Sequence, residues 1–328
     1  MFKRNSFSDT SSCGGVGLNF FTENELYKIH CGTLEVLKKT GVFFESEEAQ
    51  DILAGAGADV DKKTGIVRFS EWMVEDAIRS APQQLLLYSR DGNHDLVVES
   101  NRVYISTFGQ GVTVLDSHTG EIRPSTKKDV GESALLADAL DEIDIVERAI
   151  TAGDVNKDVA PLHEAEELFI NTTKHTVFGP GNGYRAQKII DMAAAVVGGH
   201  DKLRKKPILT CNCCPTSPLK IVRHVCNAII VCAKNGIPCN ILSMVLAGMS
   251  GPITMAGTLV VYNAEILAGI ILNQAVCKGA PVIYGGSSMV FDMQYLTTPM
   301  GSPEVALLNG AAPKIAQYYN LPSWVAGG

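Results

Sequence analysis

From about residue 101 the apolar positions of the chain follow two alternating rhythms. Short, nearly continuous apolar runs occupy residues 103–108, 145–152, 175–178, 207–212, 239–243, 281–285 and 323–326. Between most of them apolar residues recur every three or four positions, the period of a helix buried along one side. Helices are expected at about 129–140, 161–172, 255–277 and 303–318. Two more carry Ile189, Ile190, Ala193 and Val196, and Leu219, Val222, Cys226, Ile229 and Ala233. Residues 112–115 and 121–122 read as a hairpin excursion. Strands alternating with helices favour a parallel sheet, and right-handed crossovers leave a barrel or a doubly wound sheet. Phe108-Gly-Gln-Gly111 has two glycines of a dinucleotide-binding turn but leads into the hairpin. Seven strands without an eighth predict an incomplete α/β barrel of the TIM-type (β/α)8 class. Its site should lie at the C-terminal ends of the strands.

A different pattern precedes this. Residues 1–18 are expected to form a mobile tail. Thr22 and Glu25 have the spacing of a capping box and open a helix with Leu26, Ile29, Leu34 and Leu37 on its apolar side, stopped at Gly41. A second helix is expected over 47–55, a hairpin over 59–67, and a third helix capped by Ser70. Short strands at 85–88 and 96–98 flank the turn Asp91-Gly92-Asn93. The division expected is a helix-plus-hairpin region over 1–100 and the incomplete barrel over 101–328. The final strand stops at Gly328 with an open edge, a feature that invites aggregation, so a closing unit is expected beyond it.

Composition narrows the function classes. The chain is 46% hydrophobic and 19% charged, with a net charge of −7. That balance excludes nucleic acid as a partner, and a mildly acidic field suits solubility or a cationic substrate. The N-terminus has no apolar segment of a signal peptide. Residues 236–264 carry no charge, but Pro238, Gly248, Gly251 and Pro252 divide them into pieces too short to cross a bilayer. The expectation is a buried strand, a loop and a core helix, with no membrane partner. Nine cysteines in a chain of this size point to free thiols and a reducing, cytoplasmic compartment.

Several residues are candidates for chemistry. Cys211 and Cys213 share a strand face near Cys214 and Cys239; a zinc site is the sharper reading, small thiols packed in a core the plainer one, and no metal is expected. His163 and His175 lack metal-ligand spacing and read as structural. Glu265, within a long apolar helix, must be paired or protonated and reads first as a buried contact. Glu304 follows Ser302 and Pro303 at a helix start. It is either a carboxylate favoured by the helix dipole or one aimed into the barrel mouth. Phe108, Tyr284 and Phe291 fall near strand ends, where aromatic faces hold alkylammonium ions; core packing is the alternative.

The order and spacing of longer stretches resemble the trimethylamine:corrinoid methyltransferase family. They include Leu18-Asn-Phe-Phe-Thr22, Asn171-Thr-Thr-Lys-His175, Cys214-Pro-Thr-Ser-Pro-Leu219, Asn240-Ile-Leu-Ser-Met244, Asn263-Ala-Glu265, Gly301-Ser-Pro-Glu304 and Leu321-Pro-Ser-Trp-Val-Ala-Gly327. The resemblance implies an eight-stranded α/β barrel that moves a methyl group from a methylated amine to the Co(I) corrinoid of a partner protein, with no tightly bound cofactor of its own. It also implies a pyrrolysine encoded by UAG just after Gly328, whose imine captures the amine. Glu304 is then the candidate acid that protonates the imine nitrogen, and Phe108, Tyr284 and Phe291 the candidate substrate pocket. Thr216, Ser217, Met244, Ser287 and Ser288 become candidates for docking the corrinoid protein, with loop turning as the alternative, and a homo-oligomer is expected. Three other readings stay open. They are a homologue that lacks pyrrolysine and uses a quaternary amine such as glycine betaine, an inactive truncated fragment, and a generic phosphate-binding barrel.

Overall fold

The computed structural model describes residues 20–99, 102–117 and 119–327; the tail expected over residues 1–18 lies outside them. The first part contains α1 (Glu23–Glu35), β1 (Val42–Phe44), α2 (Glu47–Gly55), β2 (Asp59–Asp61), β3 (Ile66–Arg68), α3 (Glu71–Ser80), β4 (Leu85–Leu87) and β5 (Leu96–Val98). A hairpin of β6 (Thr113–Leu115) and β7 (Ile122–Pro124) leads to α4 (Lys127–Ala139). Then follow β8 (Ile145–Glu147), α5 (Ala160–Asn171), β9 (His175–Phe178), α6 (Gly183–Val197), α7 (His200–Lys205) and β10 (Leu209–Cys213). Next come β11 (Lys220–Ile221), α8 (Arg223–Asn235), β12 (Cys239–Ser243), β13 (Leu246–Ala247) and α9 (Met255–Val276). The last elements are β14 (Val282–Gly286), β15 (Met289–Val290), α10 (Pro303–Tyr318) and β16 (Ser323–Val325).

Local signals set several boundaries. The Thr22 and Glu25 side chains each bond the other's backbone, completing the capping box of α1. Ser302 accepts from Val305 and Pro303 is the first residue of α10, as the sequence predicts. Ser70 stands at the cap position of α3, but its side chain makes no capping bond.

Six strands form one parallel sheet in the order β16-β14-β12-β10-β9-β8. The segment expected as a further strand, 103–108, is not one. It meets β8 through the single bridge Ser106↔Ile145 and leaves Val103, Ile105 and Phe108 exposed. Its other side has no strand neighbour among the described residues, so a two-sided ladder does not form. A cavity of about 440 Å³ separates this segment from β16. The helix expected to include Leu219 begins later, at Arg223. Residues 220–221 pair in parallel with β1, Phe43 opposite Lys220 and Phe44 opposite Ile221. The two regions drawn from the sequence therefore share a sheet.

Strand alternation sorts the sheet's side chains. Val146, Phe178, Cys211, Cys213, Cys239, Ile241 and Tyr284 join the main core with the helices. Ile145, Val177 and Ile283 face the concave side, where Leu85, Leu87 and Leu96 of the β4–β5 hairpin pack on them. That hairpin forms the floor of the barrel. Level with Ile145, His175 is fully buried, its Nδ1–H donating to the Tyr88 carbonyl at 3.0 Å and its Nε2 accepting from Thr210 at 2.9 Å. Burial pushes its pKa down to about 4, so the ring is a neutral structural group. Residues 239–276 form the strand, loop and core helix expected of the uncharged stretch. Among the described residues α9 is the one helix long and apolar enough to cross a membrane, yet it is enclosed by α1, α2, α3, α8 and the sheet.

Candidate functional site at the barrel mouth

Three polar residues occupy the concave side of the sheet, Glu147 and Asn212 toward the C-terminal ends of their strands and Asn240 near the start of its own. Glu147 ends β8, Asn212 lies in β10 and Asn240 in β12. Asn212 donates to Glu147 Oε1 at 2.8 Å, and Asn240 donates to Asn212 Oδ1 at 2.8 Å. The chain thus leaves an acceptor unused at each end. Glu147 Oε2 and Asn240 Oδ1 are buried and have no partner among the described residues. The Thr107 hydroxyl donates to the Glu147 carbonyl at 2.6 Å, and Thr107 also lines the cavity beside β16. Asn240 lies flat against Gly285, where any Cβ would strike its side-chain oxygen.

Burial dominates the electrostatics. It raises the Glu147 carboxyl from the ordinary 4.5 to about 7, against the lowering effects of Arg148 and the Asn212 hydrogen bond. Cys214, just past β10, is raised to about 11 by burial and by the Glu147 charge nearby. Arg148 is tied to Glu164 and Gln110, and Glu164 also accepts from the Ala152 amide at 3.0 Å. The second charge of the Glu147–Arg148 pair therefore stays fixed at the rim.

A raised carboxyl pKa makes the folded state bind a proton that the unfolded chain has released. The Glu147 contribution to stability is present below the unfolded value of 4.5 and is lost as pH rises to about 7. Glu147→Gln should therefore stabilise the fold at pH 8 by about 2–3 kcal/mol and change it little at pH 4. Urea unfolding at the two pH values checks this; equal effects would show that Glu147 is not a buried, strained acid.

The residues predicted from sequence are scattered. Phe108 is exposed and lines the cavity. Phe291 is half-buried just past β15, its amide donating to the Ala247 carbonyl at 3.0 Å. Tyr284 does not face the barrel interior. Alternation along β14 turns it to the helices, where its hydroxyl donates to Asn263 at 2.9 Å. Glu304 is exposed at the first turn of α10. Thr216 and Met244 are also exposed, whereas Ser287 and Ser288 are buried at the end of β14. Ser217 donates to Glu265 at 2.9 Å. Glu265 also accepts from Ser243 at 2.6 Å and from the Leu219 amide at 2.9 Å, the buried contact expected of it. Cys211, Cys213 and Cys239 lie on the helix side with Cys232 of α8, away from the polar chain.

The interior residues Glu147, Asn212 and Asn240 were missed. Their signal is faint but present: a charged residue inside the apolar run 145–152, and an asparagine within each of two others. Such positions on a barrel strand place polar atoms where a packed core has none.

Six parallel strands feeding outer helices and floored by a hairpin define an incomplete barrel of the TIM type. Residues 14–328 match the family described as Trimethylamine methyltransferase (MTTB), and the chain belongs to that family. It is 48% identical to trimethylamine methyltransferase of Desulfitobacterium hafniense over 96% of this chain and 63% of that protein. With the Methanosarcina barkeri protein of the same name identity is 39%, covering 100% of this chain and 67% of the relative. A glycine betaine methyltransferase of Desulfitobacterium hafniense is 32% identical over 94% and 64%. The chain thus spans about two thirds of the length of these relatives. In fold it is similar to the crystal structure of the monomethylamine methyltransferase of Methanosarcina barkeri. That likeness has a TM-score of 0.52 at 13% identity and covers 92% of this chain and 67% of that one.

Proposed function

We propose that this chain forms the larger part of a barrel enzyme that moves a methyl group from trimethylamine to the Co(I) corrinoid of a separate partner protein. The observation that carries this reading is the family match across residues 14–328. The relatives' greater length supports a further segment that fills the seam between β16 and residues 102–108. The pyrrolysine that the resemblance places after Gly328 would supply an electrophile for the amine nitrogen. Glu304, exposed at the start of α10, is the candidate to bring a proton to that group. Phe108, lining the seam cavity, and Phe291 are the aromatic candidates for the methyl groups.

Docking of the corrinoid protein falls to the exposed loops after β10, β12 and β14. Thr216 and Met244 of the predicted set are exposed, and Met249, Ile253, Met293, Tyr295 and Leu296 extend the apolar surface beside them. Ser217, which donates to Glu265, would act beneath that surface by fixing its loop, with Ser287 and Ser288 as buried candidates beside it. A cytoplasmic homo-oligomer without nucleic-acid or membrane partners completes the reading, with residues 1–100 as an N-terminal region on the barrel of 101–328.

The test follows loss of Co(I) absorbance in a corrinoid protein with trimethylamine. It uses the 328-residue chain and the product extended through the next codon in a host that decodes UAG. Methylation by the extended product alone is expected. Turnover by the 328-residue chain would remove the need for the further segment, and turnover of glycine betaine but not trimethylamine would reassign the substrate.

A further inference from the structure

Where α1 meets the end of α10, a buried chain of hydrogen bonds runs in one direction only. Thr33 gives its proton to the Ile29 carbonyl at 2.9 Å. Its oxygen is left to accept, and the donor at 2.9 Å is the Asn263 side-chain nitrogen. That fixes the orientation of Asn263. Its nitrogen also donates to the Tyr319 oxygen at 2.7 Å, and its oxygen accepts from Tyr284 at 2.9 Å. Tyr319, having accepted from Asn263, keeps its own proton for His30 Nδ1, 3.0 Å away. Nδ1 is then an acceptor, so the single proton of the neutral ring sits on Nε2 and points at Glu75, also 3.0 Å away. Thr33, Asn263 and Tyr284 are fully buried, and His30 and Tyr319 are 6% and 7% exposed. Each proton in this joint has one place to go.

A second proton on His30 has none. Nδ1–H and the Tyr319 O–H would face each other, hydrogen to hydrogen. To accept from Nδ1, Tyr319 must turn its own hydrogen away, and its hydroxyl makes no further hydrogen bond among the described residues. An orphaned O–H in a buried site is costly. The attraction of an imidazolium for Glu75 offsets this only in part, because Glu75 is 39% exposed and screened by water. The charged or titratable groups facing His30 are Glu75 and Glu71 of α3 and Tyr318 and Tyr319 of α10. Tyr27 and Cys31 stand beside it on α1, next to Tyr318. From α9 comes Asn263, with the Tyr284 hydroxyl of β14 behind it. Burial outweighs both carboxylates and holds the ring's pKa below the ordinary 6.5.

We propose that His30 is a proton-operated latch: neutral, it locks α1 and α3 onto α9, α10 and β14, and protonated, it stays with Glu75 but breaks the Tyr319 junction, so that α1 loosens from the barrel. The seating of the N-terminal helices thereby depends on acidity, independently of the chemistry at the strand ends. Because the folded pKa lies below the unfolded 6.5, the joint's contribution to stability is complete above 6.5 and is lost as pH falls through the folded value.

The test is hydrogen exchange of the 328-residue chain between pH 8 and pH 5, corrected for the intrinsic exchange rate, with the His30 ring titrated by NMR. Protection of the α1 amides around His30 should fall at least about fivefold at the acid end, the worth of one ordinary hydrogen bond, while that of β12 holds. His30→Asn keeps an acceptor near the place of Nδ1 and takes no proton, so its α1 protection should be the same at both ends. Tyr319→Phe removes the donor that favours the neutral ring, and His30 in that variant should bind its proton about fivefold more tightly. A histidine that only fills space would give neither change. Wild-type α1 protection that does not vary with pH, or an acid-dependent fall that persists in His30→Asn, overturns the latch. So does a His30 titration that Tyr319→Phe leaves where it was, a result that decides the matter even if His30→Asn does not fold.

Discussion

Glu265→Ala should lower the unfolding free energy by about 3–5 kcal/mol, because one buried and two part-buried donors lose their acceptor at once. Glu265 is fully buried in α9. Its carboxylate gathers Ser217, the Leu219 amide and Ser243, tying the loop after β10 to the end of β12. Leu219 sits at φ 54°, in the left-handed region that costs a residue with a Cβ about 1–2 kcal/mol. The bond to Glu265, together with Phe43 donating to the Leu219 carbonyl at 2.9 Å, holds it there. The effect should shrink as pH rises. Burial raises the Glu265 pKa in spite of its three donors. Its contribution is therefore present below the ordinary carboxylate value and declines as pH climbs through the folded value. Urea unfolding at pH 5 and pH 8, with hydrogen exchange at the Leu219 amide, reads both parts. A loss below about 1 kcal/mol, the worth of a single ordinary hydrogen bond, would mean that water replaces the carboxylate and the loop is not anchored through it.

Gly286→Val should abolish accumulation of folded protein at 37 °C. A Cβ at residue 286 would overlap the hydroxyl and ring of Tyr262, and Tyr262 has nowhere to go. It is buried edge-on against Tyr284, with ring centroids 5.7 Å apart. Tyr284 donates to Asn263, and Asn263 donates to Tyr319 at 2.7 Å and to Thr33 at 2.9 Å. Tyr319 meets His30 at 3.0 Å, and His30 meets Glu75 at 3.0 Å. Displacing one ring therefore disturbs the contacts that join β14, α9, α10, α1 and α3. Overpacking a core by a methylene or two costs about 1–3 kcal/mol, and a loss of 4 kcal/mol or more is expected for this network. Gly55→Ala is the control. Nothing lies within 4 Å of a Cβ built there, and added stability of about 0.4–1 kcal/mol is expected. Soluble Gly286→Val protein with a normal melting temperature would show that the tyrosine layer yields easily.

The barrel was legible because parallel strands covered by helices write themselves as continuous apolar runs. The runs at 175–178 and 239–243 agree with β9 and β12 to the residue, as does the helix 303–318 with α10. Residues 103–108 and 219–221 misled because their state depends on a distant partner. The first has no second strand neighbour among the described residues, and the second is drawn into a strand by β1, more than 170 positions away. The site was less legible than the fold. Tyr284 is aromatic and near a strand end, but the parity of β14 decides which face it occupies, and parity follows only once register is known. Glu304 announced itself through a helix cap, whereas Glu147 was masked by the apolar run around it. The residues that sequence makes conspicuous are those at turns, and a barrel keeps its buried polar groups on strands.

The covering of α9 bears on how the chain is made. By length and composition this helix could cross a bilayer, and only its neighbours make it a core element. Three of them, α1, α2 and α3, precede it by more than 170 residues. A ribosome therefore makes these three covering helices before the helix they cover leaves the exit tunnel. Moving residues 20–99 behind α9 in the gene would reverse that order. It would present a membrane-competent segment to the cell's insertion machinery before those three covers existed.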